Sequence, residues 1–284
     1  MSDIKKFSDW NLDPQLKQAI DDLGFDTPTA IQDRAIPLVL DKKDLAGLAQ
    51  TGTGKTAAFL IPMIERVLIS QKNPEDERAF ANWQENSFIL ILVPTRELVS
   101  QVTENFESLT KHTDLKSVLV YGGVGYEEQI GALKKPFQFV IATPGRLIDL
   151  CKSGHLDLKQ VRAAVFDEAD RMFDMGFQDD VFFILRRAPK DRQLLLFSAT
   201  LNLHVTQMAY QVGSDPIEID VSRDQATADN VEDFIAHVGR DEKPKYLLSI
   251  FKKHEPKQVI IFTNFKSKVQ RVADFLNKNG YAAL

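Results

Sequence analysis

Short apolar runs alternate with amphipathic stretches along most of the chain. Four to six consecutive, mostly apolar residues predict a strand buried on both faces, whereas apolar residues three or four positions apart predict a helix. Runs of the first kind occupy residues 45–48, 88–93, 117–121, 139–142, 163–166 and 194–197, and helical patterns lie between them. Such alternation is typical of right-handed crossovers in a parallel sheet. The sequence therefore predicts an α/β fold with a doubly wound parallel sheet.

Two further helical patterns precede the first strand. One follows Asp13-Pro14 and the other follows Pro28-Thr29, and both pairs are helix-start signals. Later, residues 71–87 are polar and contain a proline and three adjacent acids, so we expect a poorly ordered surface loop there.

A change of composition near residue 221 predicts a domain boundary. A short strand is expected at residues 216–220, and residues 222–230 are polar without apolar periodicity, which indicates a linker. Beyond it we expect strands and helices in alternation at 231–238, 246–253, 258–263 and 269–276. The predicted organisation is a first domain at 1–221, a linker at 222–230 and the incomplete N-terminal part of a second α/β domain at 231–284.

The segment between the first strand and its helix, residues 49–56, reads AQTGTGKT. Glycines in such a turn let successive backbone N–H groups surround an anion, and the following helix adds its positive end. In a phosphate-binding loop Lys55 reaches the outer phosphates and the Thr56 hydroxyl binds Mg²⁺. Ala49 departs from the strict pattern, which has glycine at that position.

An acidic pair follows another predicted strand, at Asp167 and Glu168. Because both strands belong to one parallel sheet, the pair should lie near the phosphate-binding loop. Asp167 is then placed to hold Mg²⁺ and Glu168 to deprotonate an attacking water. Adjacent acids are also common on solvated surfaces, and the strand context favours the functional interpretation.

Composition narrows the compartment but not the ligand. The chain has 284 residues, 44% hydrophobic and 26% charged, with a net charge of -5 that gives no general support for polyanion binding. It holds a single cysteine, no apolar run long enough to span a bilayer and no signal-peptide core. We expect a cytoplasmic protein without membrane contact.

Several motifs, taken together, resemble those of the DEAD-box ATP-dependent RNA helicases. Residues 167–170 of this chain read DEAD, the motif that gives the family its name. The other matching segments, in the family's order, are residues 24–32 (GFDTPTAIQ), 49–56, 94–98 (PTREL), 122–123 (GG), 143–146 (TPGR), 198–200 (SAT) and 260–266 (IIFTNFK). The sequence of residues 122–129 (GGVGYEEQ) is similar to that of bacterial members of the family. The resemblance covers nearly the whole chain and implies a RecA-like domain that uses ATP and Mg²⁺ and binds RNA without sequence preference.

The resemblance assigns roles residue by residue. An adenine-reading segment spans about 5–33, with Gln32 on the base edge and Phe7 on its face. The implied nucleotide-binding set is Phe7, Phe25, Gln32, Ala49, Gln50, Thr51, Gly52, Thr53, Gly54, Lys55 and Thr56. Taken alone, Gln32 reads as a polar residue at a helix start and Phe7 as a buried anchor.

The resemblance also implies RNA-binding and coupling residues. Arg96, Gly123, Thr143 and Arg146 would hold RNA by its phosphates and sugars, as suits sequence-independent binding. Ser198 and Thr200 would link the acidic cluster, through Asp170, to RNA binding. A protein of RNA decay or of the ribosome is the partner class that such helicases suggest.

The family's later motifs, which carry the arginine fingers, do not occur in this sequence. An arginine finger contributes roughly 10³- to 10⁵-fold to turnover in related phosphoryl transfers. We therefore expect this truncated chain to bind ATP, and RNA weakly, with little turnover. Two alternatives stay open: another phosphate-loop nucleic-acid translocase, and an ATP-dependent RNA clamp or assembly factor.

Overall fold

Seven parallel strands form one sheet in a computed structural model, which describes residues 6–50, 52–200, 208–221, 234–239 and 242–283. The strands are β1 Leu45–Leu48, β2 Phe88–Leu92, β3 Ser117–Val120, β4 Phe139–Ala142, β5 Val161–Phe166, β6 Gln193–Ser198 and β7 Ile217–Asp220. Their order is β3-β4-β2-β5-β6-β1-β7, and each neighbouring pair is parallel. The predicted fold class is confirmed.

The continuous apolar strands are explained by burial on both faces of the sheet. In β2, Ile89 and Ile91 belong to one hydrophobic cluster, and Leu90 and Leu92 belong to another on the opposite face. Side chains of α1 to α4 complete the first cluster, and side chains of α5, α6 and α8 complete the second. The helices are α1 Pro14–Asp22, α2 Ala30–Leu40, α3 Lys55–Lys72, α4 Arg96–Leu109, α5 Tyr126–Leu133, α6 Pro144–Lys152, α7 Ala169–Asp174 and α8 Gln178–Arg187.

The predicted helix starts are confirmed by their caps. The Asp13 side chain accepts a hydrogen bond from the Gln15 N–H at 3.0 Å, and Pro14 occupies the first position of α1. At α2, the Thr29 N–H donates to the Gln32 side chain, which closes a capping box.

The loop after α3 differs from our expectation, because a buried arginine holds it. The Arg66 side chain is 2% exposed; its Nε donates to the Arg78 carbonyl at 2.8 Å, and its guanidinium lies 3.7 Å from the centre of the Phe80 ring. The Ser70 hydroxyl accepts a hydrogen bond from the Phe80 N–H at 2.8 Å. Phe80 is itself buried in the core. The predicted surface loop is present at residues 73–87, but these anchors hold it to the core, and its polar composition does not reveal them.

The chain divides into two compact units, Met1–Ala226 and Thr227–Leu284. The second contains α9 Lys243–His254 and α10 Lys266–Lys278, as predicted, with Phe251 and Leu276 buried. The strands predicted at 231–238 and 258–263 do not form in the described residues, and 231–233 lie outside them. Phe262 is 91% exposed. An extended segment needs a neighbouring strand to pair with, and the described part of this unit offers none.

Candidate functional site

The strand order brings the predicted nucleotide residues to one edge of the sheet. Because β6 lies between β1 and β5, the segments that follow these strands are neighbours at the carboxyl edge. The Ala49 N–H donates to the Ser198 carbonyl at 3.0 Å, and the Asp167 N–H donates to the Leu92 carbonyl at 3.0 Å. The loop after β1 is thus joined through the backbone to the Ser198 segment, and the acidic pair after β5 is joined to the end of β2.

Two glycines shape the loop after β1. Gly52 has a φ of 82° and Gly54 a φ of 89°, a left-handed conformation that side chains disfavour. A Cβ on Gly54 would also lie 2.4 Å from the Gln32 Nε2. The Thr53 hydroxyl donates to the Gln50 carbonyl at 2.7 Å, and α3 begins at Lys55. Thr51 lies outside the described residues.

Lys55 presents a buried ammonium group at the base of this loop. Its side chain is 6% exposed, and its Nζ has no hydrogen-bond partner within the described part of the chain. A buried cation without a partner is costly, and an anion placed there would remove the cost. Together with the left-handed glycines and the first turn of α3, the ammonium fits a phosphate group.

Asp167 is a buried carboxyl group that could bind a metal ion. It is 5% exposed, and burial raises the pKa of its carboxyl to about 6, against the lowering effect of the Lys55 charge. Its Oδ1 also accepts a hydrogen bond from the Glu168 N–H at 3.0 Å. A divalent cation would restore the charged carboxylate. Asp167 and the Thr56 hydroxyl fit Mg²⁺, which is usually held by one or two carboxylates together with substrate phosphates.

Among the described residues, no group of three or more histidine, cysteine, aspartate or glutamate side chains could hold a metal ion.

Glu168 occupies a conformation that the sequence did not reveal. Its φ of 52° and ψ of 47° are left-handed, which costs a residue with a side chain on the order of 1 kcal/mol. Its carboxylate forms an ion pair with Arg171 at 2.9 Å. Arg171, which we did not predict as a site residue, lies three positions along the chain, a spacing at which opposite charges pair on helices.

Asp170 joins the acidic segment to the end of β6. Its Oδ2 accepts from the Thr200 hydroxyl at 2.8 Å and from the Thr200 N–H at 3.1 Å. Its own N–H donates to the Ser198 hydroxyl at 3.3 Å. Burial raises the pKa of Asp170, but the hydrogen bonds from Thr200 and Ser198 outweigh it and hold that pKa below its usual value. The structure thus brings together the three residues that we expected to couple.

Of the predicted adenine-reading residues, Gln32 contacts the same loop. Gln32 is 4% exposed; its Oε1 accepts from the Thr29 N–H at 2.9 Å and its Nε2 donates to the Gly54 carbonyl at 3.1 Å. One N–H and one lone pair of this amide remain for a ligand. Phe7 is 3% exposed and packs edge-on against Trp10, while Phe25 is half-buried 6.0 Å away. Phe25 therefore offers more ring surface to a ligand than Phe7.

The four predicted RNA residues lie at the other half of the carboxyl edge, after β2, β3 and β4. Arg96 is the first residue of α4, and Thr143 precedes α6 and donates its N–H to the Val120 carbonyl at 2.9 Å. Gly123 has a φ of 91°, and a Cβ there would lie 2.7 Å from an Arg96 guanidinium nitrogen. Arg146 donates to the Val124 carbonyl at 3.3 Å. Arginines and helix N-termini together favour phosphate groups.

A parallel sheet with a glycine-rich loop, a buried lysine and an acidic segment at its carboxyl edge defines the class of phosphate-loop nucleotide-binding proteins. Comparison with known proteins gives the family. The DEAD/DEAH box helicase model matches residues 29–209, so this chain belongs to the DEAD/DEAH box helicase family.

Individual relatives agree with the family. The chain is 39% identical over 279 residues to the ATP-dependent RNA helicase RhlB of Shewanella piezotolerans, covering 98% of this chain and 62% of that protein. It is 38% identical to the RhlB of Shewanella halifaxensis, with 98% and 63% covered. A solved DEAD box protein from the hyperthermophile Methanococcus jannaschii is 34% identical and superposes with a TM-score of 0.67, covering 98% of this chain and 72% of that one.

The chain thus spans about three fifths of the length of the curated RhlB relatives. The RecA-like fold expected from the sequence agrees with the solved DEAD box protein. Within the residues that the structure describes, no helix has both the length and the apolar character needed to cross a membrane.

Proposed function

We propose that this chain supplies the ATP-binding half of an ATP-dependent RNA helicase. The observation that carries the proposal is the buried Lys55 ammonium, which has no hydrogen-bond partner in the described chain and lies at the end of a left-handed glycine loop. A nucleotide phosphate would provide the missing partner. The RhlB relatives, whose name states ATP-dependent RNA helicase activity, support the same function.

The protein would bind the nucleotide both at its phosphates and at its base. Lys55 and the N–H groups of the loop would hold the outer phosphates, and Asp167 with Thr56 would hold Mg²⁺. The free N–H and lone pair of Gln32 match the N7 acceptor and N6 donor of adenine, whereas guanine presents two acceptors there. Phe25, backed by Phe7, would pack against the base. The site should therefore prefer ATP to GTP.

Bound Mg²⁺ and ATP would supply the charge and the phosphoanhydride bond for hydrolysis. Glu168 would accept a proton from the attacking water, and its ion pair with Arg171 would orient the carboxylate. The hydrogen bonds of Asp170 with Ser198 and Thr200 would couple the nucleotide site to the proposed RNA-binding residues.

RNA would bind across the segments that follow β2, β3 and β4. Arg96 and Arg146 would contact phosphates, Gly123 would contact the RNA backbone through its N–H, and Thr143 would contact it through its hydroxyl, because the Thr143 N–H is bonded to the Val120 carbonyl. Closure of a second domain over both ligands would bend one strand and separate a short duplex locally. A protein partner from RNA decay or the ribosome, and a cytoplasmic location, stay predictions.

The test is phosphate release with and without single-stranded RNA, measured on this chain and on a version extended with the part of Shewanella RhlB that the chain does not match. We expect RNA-stimulated release and separation of a short duplex only in the extended version. Full activity of the 284-residue chain would contradict the expected need for the further segment. Tight RNA binding with an ATP analogue but no strand separation in the extended version would favour an RNA clamp instead.

A further inference from the structure

One loop contacts both arginines that are proposed to bind RNA. It comprises residues 121–125, between β3 and α5, and Tyr126 follows it as the first residue of α5. Gly123 lies directly beneath Arg96, since a Cβ there would come within 2.7 Å of the Arg96 guanidinium. At the other end of the loop, Arg146 donates to the Val124 carbonyl at 3.3 Å and its guanidinium lies 5.3 Å from the centre of the Tyr126 ring.

Tyr126 is itself fixed along α6. Its hydroxyl shares a hydrogen bond with the Ser153 hydroxyl at 2.8 Å, and its ring meets the edge of His155 at a centroid distance of 6.3 Å. Ser153 follows the last residue of α6 and its hydroxyl also donates to the Asp149 carbonyl. The ring therefore lies beside the helix that carries Arg146 near its start, and is attached to the end of that helix.

The helix that follows the loop, α5, also holds it. Gln129 is 4% exposed, and its Nε2 donates to the Tyr121 carbonyl at 3.0 Å, immediately before the two glycines. Tyr126 and Gln129 stand one helical turn apart on α5, so the same short helix positions both ends of the loop.

We infer that Tyr126 is a positioning residue, which presets the Arg146 guanidinium for a phosphate of bound RNA. A long, half-buried arginine side chain such as Arg146 still loses freedom when it binds, and holding it in place beforehand lowers that cost. An aromatic face keeps the charged group in one orientation without neutralising it. The inference rests on the proposed RNA role of Arg146, and it adds a residue that has no charge and needs no contact with RNA.

The test is a double-mutant cycle on the 284-residue chain, with binding of a fluorescein-labelled ten-nucleotide oligouridine measured by anisotropy at low salt. Tyr126→Ala should weaken binding roughly 2- to 5-fold, the range expected for an exposed cation–aromatic contact. Tyr126→Phe, which keeps the ring, should retain most of the affinity. In an Arg146→Ala background, Tyr126→Ala should cause no further loss.

The controls separate this inference from the proposed function. Tyr210→Ala, at a side chain that is 54% exposed, should leave RNA binding unchanged, and thermal melting should show that every variant folds. If Arg146→Ala binds RNA as tightly as the unaltered chain, the proposed RNA role and the inference both fail. If Arg146→Ala weakens binding but Tyr126→Ala has no effect, or has the same effect in both backgrounds, only the positioning role fails.

Discussion

Replacing Gln32 with alanine should loosen the phosphate-binding loop and remove the preference for adenine. The substitution deletes two hydrogen bonds, one from the Thr29 N–H and one to the Gly54 carbonyl. At about 1 kcal/mol each, the free energy of unfolding should fall by about 2 kcal/mol. For a unit of this size, that corresponds to a melting temperature lower by roughly 4–8 °C.

Nucleotide preference provides the second measurement on Gln32→Ala. Loss of hydrogen bonds to the base edge should lower the ratio of ATP to GTP affinity by about tenfold or more, measured by competition with a fluorescent nucleotide. Gln15→Ala is a matched control, because Gln15 also donates to a backbone carbonyl, that of His112 at 2.6 Å, outside the proposed nucleotide site. It should lower stability but leave the ratio unchanged. An unchanged ratio in Gln32→Ala, with unchanged melting, would refute the reasoning.

Three further substitutions probe the same account. Gly54→Ala should abolish ATP binding, measured by calorimetry, because Gly54 has a φ of 89° and an added Cβ would meet Gln32. Gly154→Ala is the control: its φ is 77°, but an added Cβ would have no atom within 4 Å, so ATP binding should be retained. Asp167→Asn should stabilise the nucleotide-free chain by up to about 3 kcal/mol at pH 7.5 in urea unfolding. Because the folded pKa of about 6 lies above the ordinary 3.8, stability is lost as the pH rises through 6, so the gain should vanish near pH 4. Arg66→Met should cost about 2–4 kcal/mol in the same assay, since buried partners lose their donor; an unchanged midpoint would contradict the anchoring of the loop.

The elements of the first unit could be predicted because buried parallel strands leave a local signal. The apolar run at 88–93 is continuous since β2 is covered on both faces, and the loop at 49–56 carries its own glycine signature. The same signal failed at 258–263, because an apolar run does not show whether a neighbouring strand is present.

The arrangement of the site depends on contacts between distant residues. That β6 lies between β1 and β5, and so places Ser198 next to Ala49, follows from sheet order and has no local signature. Arginine is usually a surface residue, yet Arg66 is buried beneath the loop that follows α3. Tyr126 lies in the segment 122–129 that resembles bacterial members of the family, but only the folded position of α6 shows its relation to Arg146.

The central claim, that the loop at 49–56 holds a Mg²⁺-dependent ATP site, is tested most directly by calorimetric titration of ATP, with and without Mg²⁺, into the unaltered chain and Lys55→Met. Methionine keeps the buried stem without the ammonium, and Lys72→Met at the exposed end of the same helix is the control. The account predicts Mg²⁺-enhanced binding that Lys55→Met weakens roughly 10- to 100-fold, with Lys72→Met unaffected. Equal affinity of Lys55→Met and the unaltered chain for ATP would contradict it.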